Sequence, residues 1–187
     1  GRTANDLYKY LSKDFIRVKN CLNIYFTDER CVSLNSKENN FHNIKKNLYN
    51  NIVPQHHTLF RIKADNKNWK NEANRYEKLL PKHLDLLLLS LGTDGHIASI
   101  FRGGEAMHTL NKKVKPIIAP IYPKNRITIT HNVIKLSKNK ILLVKGKEKG
   151  KILRQLLENQ KKDGHVMPAI LITEGDIIVD SEAQKEI

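Results

Sequence analysis

The sequence predicts an α/β fold: a three-layer sandwich around a doubly wound, mainly parallel sheet. Three observations carry that expectation. Apolar runs of strand length alternate with segments of helical periodicity along the whole chain. The longest run, residues 84–91, holds four consecutive leucines, is bounded by turn residues and is too short to span a membrane, which suits a central strand covered on both faces. Several strand candidates also run into glycine turns that open toward helices, the place where open α/β sheets gather ligands.

Taken in order, Ala4, Leu7, Tyr8 and Leu11 share one helical face, with Thr3 and Asp6 spaced as a cap and a dipole-complementing acid. A helix starting directly after Gly1-Arg2-Thr3 is an anion seat without the strand that would normally deliver the chain to it. The expectation is one domain over residues 1–187 that lacks an N-terminal strand and helix. Residues 22–27 are rich in β-formers and end in the charged triplet Asp28-Glu29-Arg30, read either as a solvated turn or as a binding cluster for a phosphorylated polyol. Phe41, Ile44 and Leu48 mark a second helix, and residues 50–68, with Pro54, His56 and His57, read as irregular. Trp69, Ala73, Tyr76 and Leu80 give a third helix face before Pro81 and the leucine strand.

After that strand come Gly92-Thr93-Asp94-Gly95-His96 and a short apolar helical start. Asp-Gly is a common turn pair, and Asp94 also suits a helix cap; at a strand's carboxyl end, however, the same residues put two titratable groups where a ligand would sit. Residues 115–119 and 127–130 are strand candidates, the second alternating. Residues 141–144 form a buried strand that leads through Lys145-Gly146-Lys147-Glu148-Lys149 into a helix bearing Ile152, Leu153, Leu156 and Leu157. Residues 169–172 and 177–179 close the pattern as short strands, Asp180 ending the last. Neither G-x-G-x-x-G nor G-x-x-x-x-G-K-[ST] occurs, so no dinucleotide or P-loop fingerprint is present.

The net charge of +14 invites a nucleic-acid reading. The lysines are nevertheless scattered, travel with asparagine as in Lys45-Lys46-Asn47, and lack interleaved aromatics, a pattern of compositional bias. Cys21 and Cys31 form no C-x-x-C and have no histidine pair nearby, which argues against a disulfide framework or zinc site and for a reducing cytoplasm.

Four separated segments together resemble the 6-phosphogluconolactonase family, Rossmann-like relatives of the glucosamine-6-phosphate deaminases. Gly1-Arg2-Thr3 with Leu7-Tyr8 is similar to the second half of its phosphate loop and following helix. Phe26-Thr27-Asp28-Glu29-Arg30-Cys31-Val32 resembles its Asp-Glu-Arg-x-Val segment, and Asn40 its downstream asparagine. Residues 91–101 resemble its Gly-x-Asp-Gly-His-x-Ala-Ser-Leu-Phe signature, while Arg126-Ile127-Thr128 and Gly146-x-x-Lys149 are similar to two later motifs. Arg30 and Ser99-Ile100-Phe101-Arg102 side with the lactonases, since deaminases carry an aromatic and Phe-Asn-Glu-Pro there. Ser90, Arg102, Ala4 and Arg2 depart from the family pattern.

The resemblance implies hydrolysis of 6-phospho-D-glucono-1,5-lactone, with His96 as general base, Asp94 orienting it and Asp28 on substrate hydroxyls. It implies backbone donors around Gly92 and Gly95, a phosphate clamp of Gly1, Thr3, Arg30, Arg126 and Lys149, with Asn40 in the substrate site, and neither cofactor nor metal. With the lysine–asparagine bias, the motifs resemble malaria-parasite members of the family, which implies a partnership or fusion with glucose-6-phosphate dehydrogenase. Rival readings are a glucosamine-6-phosphate isomerase or deaminase, a nucleic-acid-binding module and a non-catalytic partner-binding domain. Ammonia release would establish the first, salt-sensitive nucleic-acid binding without lactonase activity the second.

Overall fold

A computed structural model of the chain describes residues 2–14, 22–48, 57–158 and 166–187. The first helix, α1 (Arg2–Asp14), packs Tyr8 and Leu11 against the core. Thr3 lies inside its first turn rather than ahead of it, and Asp6 pairs with Lys145 at 2.7 Å instead of supporting a cap. Strand β1 (Leu22–Tyr25) breaks at Phe26 and Thr27 before β2 (Asp28–Arg30). Tyr76 explains the break: its buried hydroxyl donates to the Phe26 carbonyl at 2.9 Å and accepts the Phe26 N–H at 2.6 Å.

Helix α2 (Asn40–Asn47) starts from Asn39, whose side chain accepts the His42 N–H. Strand β3 (His57–Phe60) falls in the stretch expected to be irregular; parallel pairing with β1 and stacking of Phe60 on Tyr25 at 4.6 Å outweigh its weak local pattern. Helix α3 (Trp69–Leu79) buries Ala73 and Tyr76 as its periodicity predicts. Then follow β4 (Leu86–Ser90), α4 (Glu105–His108), β5 (Val114–Ile118), β6 (Asn125–Ile129), α5 (His131–Leu136), β7 (Asn139–Val144) and α6 (Lys147–Glu158). A 3₁₀ helix (Pro168–Ile172), β8 (Asp176–Val179) and α7 (Ser181–Gln184) complete the described chain.

Among the described residues the strands join as β1–β3, β2–β6–β5 and β4–β7–β8, the first and third groups parallel and the second antiparallel. Fold class is α/β with parallel strands under the main loops, as expected; the antiparallel group is an addition. Within its group β7 is the middle strand and the leucine strand β4 lies beside it. Leu87 and Leu89 are buried but Leu86 is exposed, so the four leucines alternate rather than bury both faces.

Three local expectations give way. No helix follows His96: residues 97–100 close a tight turn through Ile100 N–H to the Ile97 carbonyl at 2.8 Å, with Ala98 at φ +51° and both isoleucines fully buried. Thr130, read as the last residue of a strand, is instead the N-cap residue of helix α5. Residues 169–172 are helical rather than extended, because Pro168 starts a helical turn and a short apolar run does not separate strand from buried helix.

Candidate active site

Strands β4 and β7 run parallel in register from Leu86↔Asn139 to Ser90↔Leu143, and the Leu91 N–H continues the ladder to the Leu143 carbonyl at 3.2 Å. Both therefore end on the same side and deliver residues 92–96 and 145–149 next to one another. Asp180, just past β8, braces the second loop by accepting the Gly146 N–H at 2.9 Å.

The first loop folds back on itself. Gly92 N–H donates to the His96 carbonyl at 2.8 Å, and Gly95 N–H to the Gly92 carbonyl at 3.1 Å. Those two N–H groups are engaged inside the turn. The glycines provide space: a Cβ on Gly92 would stand 2.2 Å from Nδ1 of His96, and Gly95, at φ +83°, lies against Met167. Ala169 N–H donates to the Gly95 carbonyl at 3.1 Å, which ties the 3₁₀ helix to the loop.

His96 Nδ1 is hydrogen-bonded to Oδ1 of Asp94, which also accepts the His96 backbone N–H at 3.2 Å. Burial pushes the Asp94 carboxyl up, but the hydrogen bond and charge of His96 pull harder and hold it below the usual range. An ionised Asp94 assigns the ring proton to Nδ1 and leaves the Nε2 lone pair as the acceptor. The imidazole packs on Phe101, centroids 4.8 Å apart.

The second half of the site is β2 and β6. Asp28 faces Thr128 and Arg30 faces Arg126 across the antiparallel ladder, so these four side chains share one face. Glu29 points to the other, which corrects the expectation of two carboxylates beside one arginine. Like charges directly opposite destabilise a ladder, so an Arg–Arg pair requires a reason. Arg126 is 2% exposed, donates from Nε to the Pro123 carbonyl at 2.8 Å and from Nη1 to Ser99 Oγ at 3.3 Å, and lies 5.4 Å from the Phe101 centroid. Burial, then the charge of Arg30, holds its pKa below the usual arginine range. Arg30 donates from Nη1 to the Glu38 carbonyl at 2.8 Å and pairs with the Glu38 carboxylate at 3.5 Å, while its buried Nε has no hydrogen-bond partner among the described residues and stands 3.8 Å from Asp28 Oδ2.

Asp28 accepts from Ser99 Oγ at 2.6 Å and from Asn40 Nδ2 at 3.1 Å. Glu29, fully buried, accepts the N–H groups of Arg30, Asn40 and Phe41 at 2.8, 2.7 and 2.8 Å, so it fastens the first turn of α2 to β2. Burial pushes its carboxyl up to about 7 against those donors. Lys149, in the first turn of α6, donates to Thr3 Oγ1 at 3.2 Å, and burial lowers its pKa. Tyr8, five residues along α1 and so about 7.5 Å from Thr3 along the axis, is pushed up to about 12 by burial and by the charges of Asp28 and Glu29. Helix α1 thus spans from the Lys149 loop to the Asp28 strand.

Gly1 lies outside the described residues. The remaining expected residues fall into a His96–Asp94 loop, an Asp28–Asn40–Arg30–Arg126 face and a Thr3–Lys149 pair; Phe101 joins the first to the second, α1 the second to the third. Ser99 and Phe101 link these groups and were visible only as letters in the loop signature; Glu29 gave no sequence signal separating it from Asp28. A cavity of about 350 Å³ lined by Leu34, Phe41, His42, Lys45 and neighbours contains none of the expected site residues.

An α/β fold with a carboxylate-backed imidazole at a strand end, opposed arginines on one sheet face and a half-buried lysine gives a candidate acid–base site with cationic groups in its surroundings. A family description reading "Glucosamine-6-phosphate isomerases/6-phosphogluconolactonase" matches residues 1–179, and the chain belongs to that family. It is 31% identical over 147 residues to 6-phosphogluconolactonase 3 of Saccharomyces cerevisiae, covering 72% of this chain and 58% of the relative; the chain thus spans well under two thirds of that protein. The structure of 6-phosphogluconolactonase from Trypanosoma cruzi matches with TM-score 0.81 and 27% identity over 100% of this chain and 81% of that one. A monomeric glucosamine-6-phosphate deaminase, at 18% identity over 98% of this chain and 95% of its own, shares the fold with TM-score 0.71.

Proposed function

We propose that the chain hydrolyses 6-phospho-D-glucono-1,5-lactone to 6-phospho-D-gluconate, the second step of the oxidative pentose phosphate pathway. The observation that carries this reading is an imidazole with its Nδ1 committed to Asp94 and its Nε2 without a hydrogen bond among the described residues, packed through Phe101 against the Arg126 side of an opposed arginine pair. Nε2 takes a proton from water as the water oxygen attacks C1 of the lactone. The tetrahedral intermediate collapses by breaking the bond from C1 to the ring oxygen, and the imidazolium returns its proton to that oxygen. Asp94 stabilises the transient imidazolium. Arg30, Arg126, Thr3 and Lys149 hold the phosphate, whose negative charge removes the cost of the arginine pair and of a half-buried Lys149 that forms no ion pair among the described residues. Asp28, its geometry fixed by Asn40, takes substrate hydroxyls.

The test is a coupled assay of 6-phosphogluconate formation, corrected for spontaneous hydrolysis. His96→Ala is expected to cut kcat by about 10²–10⁴ with melting temperature preserved; unchanged turnover would remove His96 from the mechanism. The family also contains aminosugar-phosphate isomerases. Arg30, where those relatives carry an aromatic, favours the lactone, and ammonia release from glucosamine 6-phosphate would reverse the choice.

A further inference from the structure

We propose that Ser99 is a positioning residue which keeps Asp28 from hydrogen-bonding the two arginines, holding its ion pair with Arg30 at 3.8 Å, and so leaves guanidinium N–H groups for the substrate's anion. The inference rests on the phosphate reading given above. Its basis is the arrangement of donors around one carboxylate. Asp28 shares a sheet face with Arg30 and Arg126, and carboxylate–arginine pairs ordinarily close bidentately. Among the described residues no guanidinium nitrogen is hydrogen-bonded to Asp28: the Arg30 Nε is buried without a hydrogen-bond partner and stands 3.8 Å from Oδ2 in an open ion pair, and Arg30 Nη1 lies 3.5 Å from Glu38 Oε2. Oδ2 is occupied by the Ser99 hydroxyl at 2.6 Å, and Oδ1 by the Asn40 amide at 3.1 Å.

Ser99 acts in two directions. Its single hydroxyl proton goes to Asp28, and its oxygen accepts Nη1 of Arg126 at 3.3 Å. A neutral group thus stands between a carboxylate and a cation that would otherwise meet. Ser99 is held there because it is 1% exposed and its own N–H donates to Thr128 Oγ1 at 3.1 Å. Without the hydroxyl, Asp28 Oδ2 loses its neutral donor, which leaves it to the Arg30 Nε 3.8 Å away and to the Arg126 Nη1 that Ser99 Oγ now separates from it. Neutralising them internally would weaken a phosphate site while leaving His96 and Asp94 in place.

Ser99→Ala tests this by titration with inorganic phosphate and with 6-phosphogluconate, followed calorimetrically, beside steady-state kinetics. The expected result is a phosphate Kd and a KM raised about tenfold, with kcat changed less than KM. The deciding variant is Ser99→Ala combined with Asp28→Asn: removing the competing carboxylate should return phosphate affinity to within about twofold of wild type. A general packing defect would not be repaired by that second change. Ser99→Cys, which keeps the side-chain volume with a weak donor, repeats the test should Ser99→Ala fail to fold. If wild type binds phosphate, Arg126→Ala abolishes binding and Ser99→Ala leaves it intact, the Ser99 role is overturned and the phosphate site stands. If wild type binds neither anion, the phosphate site itself is overturned, and the role of Ser99 with it.

Discussion

Gly92 shows how closely one position is tied to the chemistry. The imidazole of His96 lies where a Cβ on residue 92 would be, 2.2 Å from Nδ1. The ring is only 21% exposed yet is not walled in, so Gly92→Ala would turn it aside rather than unfold the chain. Displacing an acid–base group by about 1 Å costs on the order of 10²-fold in rate. Gly92→Ala should therefore lower kcat about a hundredfold with melting temperature nearly unchanged, read by the lactonase assay and by calorimetry. Normal turnover in that variant would mean that the ring's placement over Gly92 does not matter to catalysis. Lys149 gives the complementary case. Its ammonium is partly buried, Thr3 Oγ1 is its only hydrogen-bond partner among the described residues, and burial lowers its pKa. Lys149→Ala should raise KM about tenfold or more and leave kcat within about threefold, since a contact made equally in ground and transition states is lost. A loss confined to kcat would place Lys149 elsewhere in the mechanism.

At the scale of elements, β2 and the start of α2 are joined by Glu29, a buried carboxyl that accepts the Asn40 and Phe41 N–H groups. Its folded pKa of about 7 lies above the ordinary 4.5. Between those values the folded chain holds a proton that the unfolded chain has released. Stability from this group is thus fully present below about 4.5 and is lost as pH rises through about 7, by at most ~3 kcal/mol at 1.36 kcal/mol per unit. Glu29→Gln is neutral throughout. It should remove that slope, measured as denaturant midpoints between pH 5 and pH 8, while costing about 1 kcal/mol at pH 5, where its amide nitrogen cannot accept the Phe41 N–H. Parallel profiles for the two proteins would mean that the three backbone donors keep Glu29 ionised. The same element shows where sequence reading stops. Asp28-Glu29-Arg30 has no apolar member, so local pattern reads it as a turn; its strand character comes from β6, 95 or more residues later in the chain, and from N–H groups of α2. β3 was hidden for the same reason. By contrast α3, α6 and β7 carry their own periodicity, and the His96 loop carries its own motif, so these were legible before any tertiary contact was known.

Across the whole molecule the unresolved matter in the sequence was charge: compositional bias, nucleic-acid binding or attraction of an anionic substrate all fit a net +14. The fold divides that charge into two kinds. Arg30 and Arg126 are opposed on one sheet face and Lys149 is partly buried, whereas Lys67, Lys70, Lys78, Lys82, Lys138 and Lys147 are exposed on helices and loops. Contacts of the first kind are short and partly desolvated, so salt screens them weakly; the surface field is long-ranged and is screened as the Debye length falls from about 30 Å at 0.01 M to about 8 Å at 0.15 M. Over that range kcat/KM should fall about threefold to tenfold, with kcat unchanged, if the surface lysines steer the sugar phosphate toward the site. Charge reversal at Lys70 and Lys78 on α3, remote in sequence from every site residue, should reduce that salt dependence without altering KM at high salt. A flat salt profile would assign the lysine excess to composition alone and leave anion capture to the arginine pair and Lys149. Tight, steeply salt-dependent binding to DNA or RNA at 0.15 M would instead give the surface a partner of its own, independent of the lactone site.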